Sequence, residues 1–163
     1  MRNSNCENES EPDPGTRKSA SGLRKPEIRP HPGQRIRNAK ERGEWAELRF
    51  MTRATELRFR VAKPWGDSAA YDVATEHCGR FLRVQVKCTI FHRGNSYKCH
   101  LDSNGLPYSP KDIDIIAAYV IPTDTWYILP IRATNNQSDV LLTPHARNAK
   151  YEKYKEAWHL LKG

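Results

Sequence analysis

Asp72 and the tripeptide Gln85-Val86-Lys87 stand in the order Asp-x12-Gln-x-Lys, on two short segments rich in strand formers. In Phe81 to Lys87, strict alternation puts Leu82, Val84 and Val86 on one face and Phe81, Arg83, Gln85 and Lys87 on the other. With residues 77–80 as a four-residue loop, Glu76 pairs with Phe81 and Asp72 falls opposite Gln85. Directly opposed residues share a face, so Asp72, Gln85 and Lys87 are expected to converge. A carboxylate, an amide oxygen and an ammonium together suit a divalent cation and an oxyanion. Asp72 is a hard oxygen ligand of the kind Mg²⁺ takes, and Gln85 a neutral second one. Lys87 would orient a water or offset charge developing on a phosphate. The plainer alternative is a hairpin with a solvated polar face, because such spacing also arises by chance.

A third acid comes from a helix expected over Lys40 to Arg58, where Gly43, Ala46, Phe50, Ala54 and Leu57 form one narrow apolar face. With Ala46 at zero and steps of about 100° per residue, that face ends near 80°. Glu47 lies at its edge, about 100° round, and Glu44 lies about 160° round, towards solvent. Glu47 is therefore placed to lean to the sheet edge and join Asp72. Its alternative is a surface pair with Arg53 or another neighbour.

The elements that must hold these groups follow from pattern. Extended segments are expected at Arg58 to Lys63, Tyr71 to Glu76, Phe81 to Thr89, Ser96 to Leu101 and Trp126 to Ile131. Ile113 to Ile121, apolar almost throughout, reads as a buried central strand. Asp102 to Pro110 reads as a loop, Thr134 to Asp139 as a polar connection, and Tyr151 to Leu161 as a closing amphipathic helix carrying Tyr151, Tyr154, Trp158 and Leu161. Helix, mostly hairpin-linked strands and helix make an α/β or α+β sandwich around a mixed sheet.

Composition sets the outer limits. The chain has 163 residues and a net charge of +8. Residues 1–37 hold 8 basic and 5 acidic residues, 5 of the 11 prolines and no aromatic residue. Such a stretch cannot bury enough surface to fold, so it is expected to be a disordered tail, with the domain over 38–163. Arg17, Lys18, Arg24, Lys25, Arg29, Arg35 and Arg37 either trail along phosphates or simply solvate the tail. No window approaches the roughly 18 apolar residues of a membrane span, and no apolar leader opens the chain. A cytoplasmic protein without a membrane partner is expected. Cys6, Cys78, Cys88 and Cys99 form no CxxC pair. A disulfide framework is not expected, and a zinc site assembled with His77, His92 and His100 has no standard spacing behind it.

The order Glu47, Asp72, Gln85-Val86-Lys87 resembles the PD-(D/E)XK nuclease superfamily. The segments GEWAELRFM, KPWGDSAAYDV and RFLRVQVK are similar to small Holliday-junction-resolvase-like members, and most of all to its group-I-intron-associated homing endonucleases. The resemblance runs from Gly43 to Ile131. It implies a restriction-endonuclease-like core, with helices flanking a mixed central sheet, and a Mg²⁺-dependent phosphodiesterase in which Mn²⁺ is a possible substitute. On that resemblance Asp72 is the main metal ligand, Gln85 stands where the second acid is usual, Glu47 is the helix acid and Lys87 the catalytic lysine. Tyr71 replaces the proline of the name. Gln85 removes one negative charge, for which Asp67 and Glu76 are possible replacements.

The implied partner is double-stranded or branched DNA. Arg42, Lys63, Trp65, Arg80, Arg83, His92, Arg93 and Lys98 are candidates to hold the duplex, with Phe91 to Lys98 as a contacting loop or a plain hairpin connection. A domain of about 126 residues covers little duplex, so a homo-oligomer is expected. The competing readings are a DNA-binding module that has lost catalysis and an interaction domain with an incidental basic face.

Overall fold

The computed structural model describes residues 30–66, 68–103 and 105–163. One helix, α1 (Ala39–Glu56), leads the domain. Asn38 caps it: its side-chain oxygen accepts from the Lys40 and Glu41 amides at 2.9 and 3.4 Å. At the other end Arg58 turns left-handed (φ 70°). Its amide donates to Thr55 O and the Phe59 amide to Ala54 O, a Schellman closure that seats Phe59 in the core.

The strands are β1 (Arg60–Ala62), β2 (Val73–His77), β3 (Arg80–Thr89), β4 (His92–Arg93), β5 (Ser96–His100), β6 (Asp102–Ser103), β7 (Leu106–Pro107), β8 (Ile115–Val120), β9 (Thr125–Pro130) and β10 (Asp139–Leu142). The central sheet has the order β1-β2-β3-β8-β9, with β3 and β8 parallel and the other neighbours antiparallel. α1 and the C-terminal segment cover one face, where Ala46, Phe50, Ala54, Trp158 and Leu161 meet Val73, Val84, Val86, Ala117 and Ile128. A second antiparallel sheet, β10-β5-β4, covers the other, where Cys99, Val140 and Leu142 meet Ile116, Ala118, Tyr127 and Leu129. This is a mixed α+β fold in three layers. Of the flanking helices the resemblance implies, α1 is present on one face, and a small sheet lies on the other.

Three expectations are corrected. The turn after β2 has two residues, Cys78-Gly79, both left-handed (φ 49° and 81°), because His77 still pairs with Arg80. The register it sets is the one a four-residue loop would have given. The segment from Tyr151 to Leu161 is not an α-helix but two 3-10 turns, Glu152–Tyr154 and Trp158–Lys162. Glu156 between them is left-handed (φ 50°), and its amide donates to Trp126 O. The expected loop after Leu101 holds the β6-β7 hairpin. The expected tail falls mostly outside the described residues. Within them, a 3-10 turn at Pro32–Arg35 lies against the domain, with His31 packed edge-on to Trp45.

Candidate active site

Asp72 sits one residue before β2, and its amide donates to Val84 O at 3.0 Å. The Val73↔Val84 register, extended one step, sets it opposite Gln85. Its Oδ2 accepts from Gln85 Nε2 at 2.6 Å and from the Val86 amide at 2.7 Å. Gln85 is only 8% exposed. That number excludes a hairpin whose polar face lies open to water.

Glu47 reaches the same region from α1. Its carboxylate pairs with Lys63 at 2.5 Å, not with Arg53, which pairs with Glu56. Glu44, Glu47, Lys63 and Asp72 line one groove of about 380 Å³ between α1 and the 63–71 segment. Asp72 also lines a second groove, about 550 Å³, with Gln85, Ser103, Leu106, Tyr108 and Asp112. Asp72 thus stands between a helix-side and a hairpin-side groove.

Lys87 lies two positions after Gln85 on the same face of β3. Its Nζ donates to Asp102 O at 2.9 Å and stands 5.1 Å from the centre of the Tyr108 ring. Tyr108, Asp112 and Glu44 escaped the sequence reading. Tyr108 lies in the stretch read as a loop, Asp112 lies between that loop and the expected central strand, and the wheel turned Glu44 to solvent.

The charge balance is unusual. Burial pushes the Asp72 carboxyl above its ordinary value, and the Glu47 charge pushes it further; the Val86 amide, Lys87 and Gln85 oppose this without cancelling it. Asp72, Glu47 and the Gln85 amide oxygen are hard oxygen donors of the type Mg²⁺ and Mn²⁺ take. A cation between them would offset the repulsion that raises Asp72. The donor set therefore fits a divalent ion, with an amide as its third member. Among the described residues no three His, Cys, Asp or Glu side chains cluster for a metal.

The other named residues are dispersed. Glu76 accepts from the Gly79 amide at 2.6 Å and pairs with Arg60, at the far end of the hairpin, so it does not replace the missing charge. Asp67 lies outside the described residues. Trp65 is fully exposed beside the helix-side groove, and His92 and Arg93 are exposed on β4. Lys98 pairs with Asp139 at 3.2 Å, and Arg83 is held by Asp114 through Nε and Nη2 at 3.0 and 2.9 Å. Arg42 donates to Ile36 O and Arg80 to Gly163 O. Five of the eight basic or aromatic candidates (Arg42, Lys63, Arg80, Arg83 and Lys98) therefore already hold a protein partner at the tip of the side chain.

A model of the PD-(D/E)XK endonuclease family matches residues 37–161, most of the chain. The chain belongs to the PD-(D/E)XK endonuclease family. Three solved chains match it. One is a bacterial homing endonuclease, I-Ssp6803I, with 27% sequence identity and a TM-score of 0.67, over 77% of this chain and 93% of that one. No curated protein sequence matches. The matched range includes α1, β2 and β3, the elements that carry Glu47, Asp72, Gln85 and Lys87. No helix among the described residues is long and apolar enough to cross a membrane.

Proposed function

We propose that this PD-(D/E)XK protein is a metal-dependent DNA endonuclease of the homing-endonuclease type, hydrolysing phosphodiester bonds with Mg²⁺ or Mn²⁺. The observation that carries this reading is the buried contact of Asp72 with Gln85 and Val86, with Lys87 on the same strand face and Glu47 across the groove. The family match and the homing-endonuclease neighbour support it.

Asp72, Glu47 and the Gln85 oxygen would hold the cation. When bound, the ion supplies Lewis-acid stabilisation of phosphate charge and a more acidic water. The chain's own residues do the rest. The Val86 amide fixes the Asp72 rotamer. Gln85 holds the same oxygen and excludes bulk water from that side. Lys87 presents a positive charge to an entering phosphate and positions the attacking water. Lys63 offsets the Glu47 charge, and the Glu47 contact raises the Lys63 pKa, which keeps it cationic. Trp65, His92 and Arg93 are free to contact duplex or branched DNA. A homo-oligomer would supply the contact length that one small domain lacks.

The test is cleavage of plasmid and branched DNA with Mg²⁺ or Mn²⁺ by wild type, Lys87→Ala and Asp72→Ala. Wild type cuts and both variants do not; equal cutting by all three would overturn the reading. The second reading, a DNA-binding module without catalysis, draws on Gln85 standing in place of an acid. It predicts a salt-sensitive DNA shift with no cutting under either metal.

A further inference from the structure

Lys87 takes its contacts from the β6-β7 hairpin and not from the central sheet. Its Nζ donates to Asp102 O, at the start of β6, and lies over the ring of Tyr108, one residue past the end of β7. Asp102 and Pro107 are directly paired, so the two contacts come from the two legs of one hairpin base. The hairpin is held below as well: Tyr108 packs against the apolar cluster under the second sheet. Above, Ser103, Leu106 and Tyr108 line the groove that Asp72 and Gln85 share.

A lysine has four rotatable bonds and a large rotamer entropy. A lone backbone carbonyl fixes a distance but leaves the stem free to swing. An aromatic face restricts a second direction and attracts the ammonium without accepting a strong hydrogen bond. Two N–H donors of the ammonium are then left for phosphate or water. The arrangement restrains Lys87 and keeps it available.

We propose that Tyr108 is a positioning residue for Lys87, acting through its ring face, and that the β6-β7 hairpin is the clamp that aims the ammonium at the Asp72 groove. The cleavage part of this proposal rests on the nuclease reading above; the clamp does not. The ring, and not the hydroxyl, carries the effect.

The experiment compares Tyr108→Phe, Tyr108→Leu and Tyr108→Met. Trace labelling with acetic anhydride, read by mass spectrometry, measures how free the Lys87 amine is. Lys87 labelling in Tyr108→Phe stays at the wild-type level. In the Leu and Met variants it rises several-fold, with labelling of Lys111 and Lys150 unchanged as an internal control for folding. In plasmid cleavage, kcat falls about tenfold in Leu and Met with KM little changed, and Phe restores it. Equal Lys87 labelling across all variants, or a Phe variant as reactive as Leu, overturns the clamp. If wild type cuts no DNA, the nuclease reading fails and labelling still decides the clamp.

Discussion

Two aspartates flank strand β3, and each accepts a hydrogen bond from one of its amides. Asp72 takes Val86 N from the β2 side, and Asp114 takes Arg83 N from the β8 side. Their electrostatics are opposite. Asp114 also receives Nε and Nη2 of Arg83, a forked cation partner, and its carboxyl is held below the ordinary value. Asp72 receives a neutral amide and faces Glu47, and its carboxyl is raised. One acid is complete within the protein. Among the described residues the other has no cation in salt-bridge contact. A nuclease site has to leave that deficit, because a carboxylate already paired with arginine has little to offer a metal.

The sharpest break in this contrast is Asp72→Asn. Asparagine keeps an oxygen for Val86 N but removes the charge. Cleavage should fall by at least about hundredfold, read on supercoiled plasmid. Without metal the same variant should melt at or above wild type at neutral pH. The sign follows from the raised pKa: the ionised form is disfavoured in the fold, so its cost appears as pH rises above about 3.8 and is complete above the folded value. Mg²⁺ at a hundredfold excess over its Kd should stabilise wild type by about 2.7 kcal/mol and leave Asp72→Asn unmoved. A metal-free Asp72→Asn that melts well below wild type would erase the distinction between the two aspartates.

Gln85→Glu sharpens it from the other side. The 2.6 Å contact that now joins a donor to an acceptor would bring two carboxylates together. Both cannot ionise without a cation. Metal-free stability should fall by about 1–3 kcal/mol, increasingly as pH rises. Metal affinity should rise about tenfold, measured by titration calorimetry. Unchanged affinity would mean that position 85 does not face the metal.

How much of this was legible before the structure depended on the range of the signal. The Asp72–Gln85 register followed from alternation along β3 and a Gly-containing turn, both local. The buried strand β8 followed from its unbroken apolar run. The closing segment misled because Tyr151, Trp158 and Leu161 keep helical spacing and are buried, yet Lys155 makes an isolated antiparallel bridge to Tyr127 that an α-helix would not make. β10 has four residues, and it gains its partner only when β5 is placed beside it. The Arg83–Asp114 pair was invisible because its members lie 31 residues apart and meet only through the parallel β3-β8 contact. Arg83 was therefore read as a DNA contact. Lys63 was read the same way, because its partner Glu47 lies on a helix 16 residues earlier.

Asp114→Asn tests the completed side. Its depressed pKa means that the pairing contributes stability above the unfolded value of about 3.8, and that this contribution is lost as pH falls through the folded value. Both side chains are about one-third exposed (34% and 32%), so solvent screening reduces the effect. At neutral pH the variant should lose about 1 kcal/mol, with cleavage within a few-fold of wild type. The difference from wild type should close in acid melts. A cleavage loss as large as that of Asp72→Asn would make Asp114 part of the site.

The smallest effect separates charge from geometry at the same place. Arg83→Lys keeps the cation but loses the fork that binds both Asp114 oxygens, as well as the Nη contacts to Lys111 O and Pro110 O. A lysine ammonium can still pair with one oxygen, and the backbone bond from Arg83 N is untouched. The cost should therefore be about half that of Asp114→Asn, a few tenths of a kcal/mol. Asp114 should also retain a depressed pKa, which NMR titration of the carboxyl carbon would show. If Arg83→Lys costs as much as Asp114→Asn, the fork carries all of the stability. The contrast with Asp72 would then be one of hydrogen-bond geometry, not of charge left unpaired.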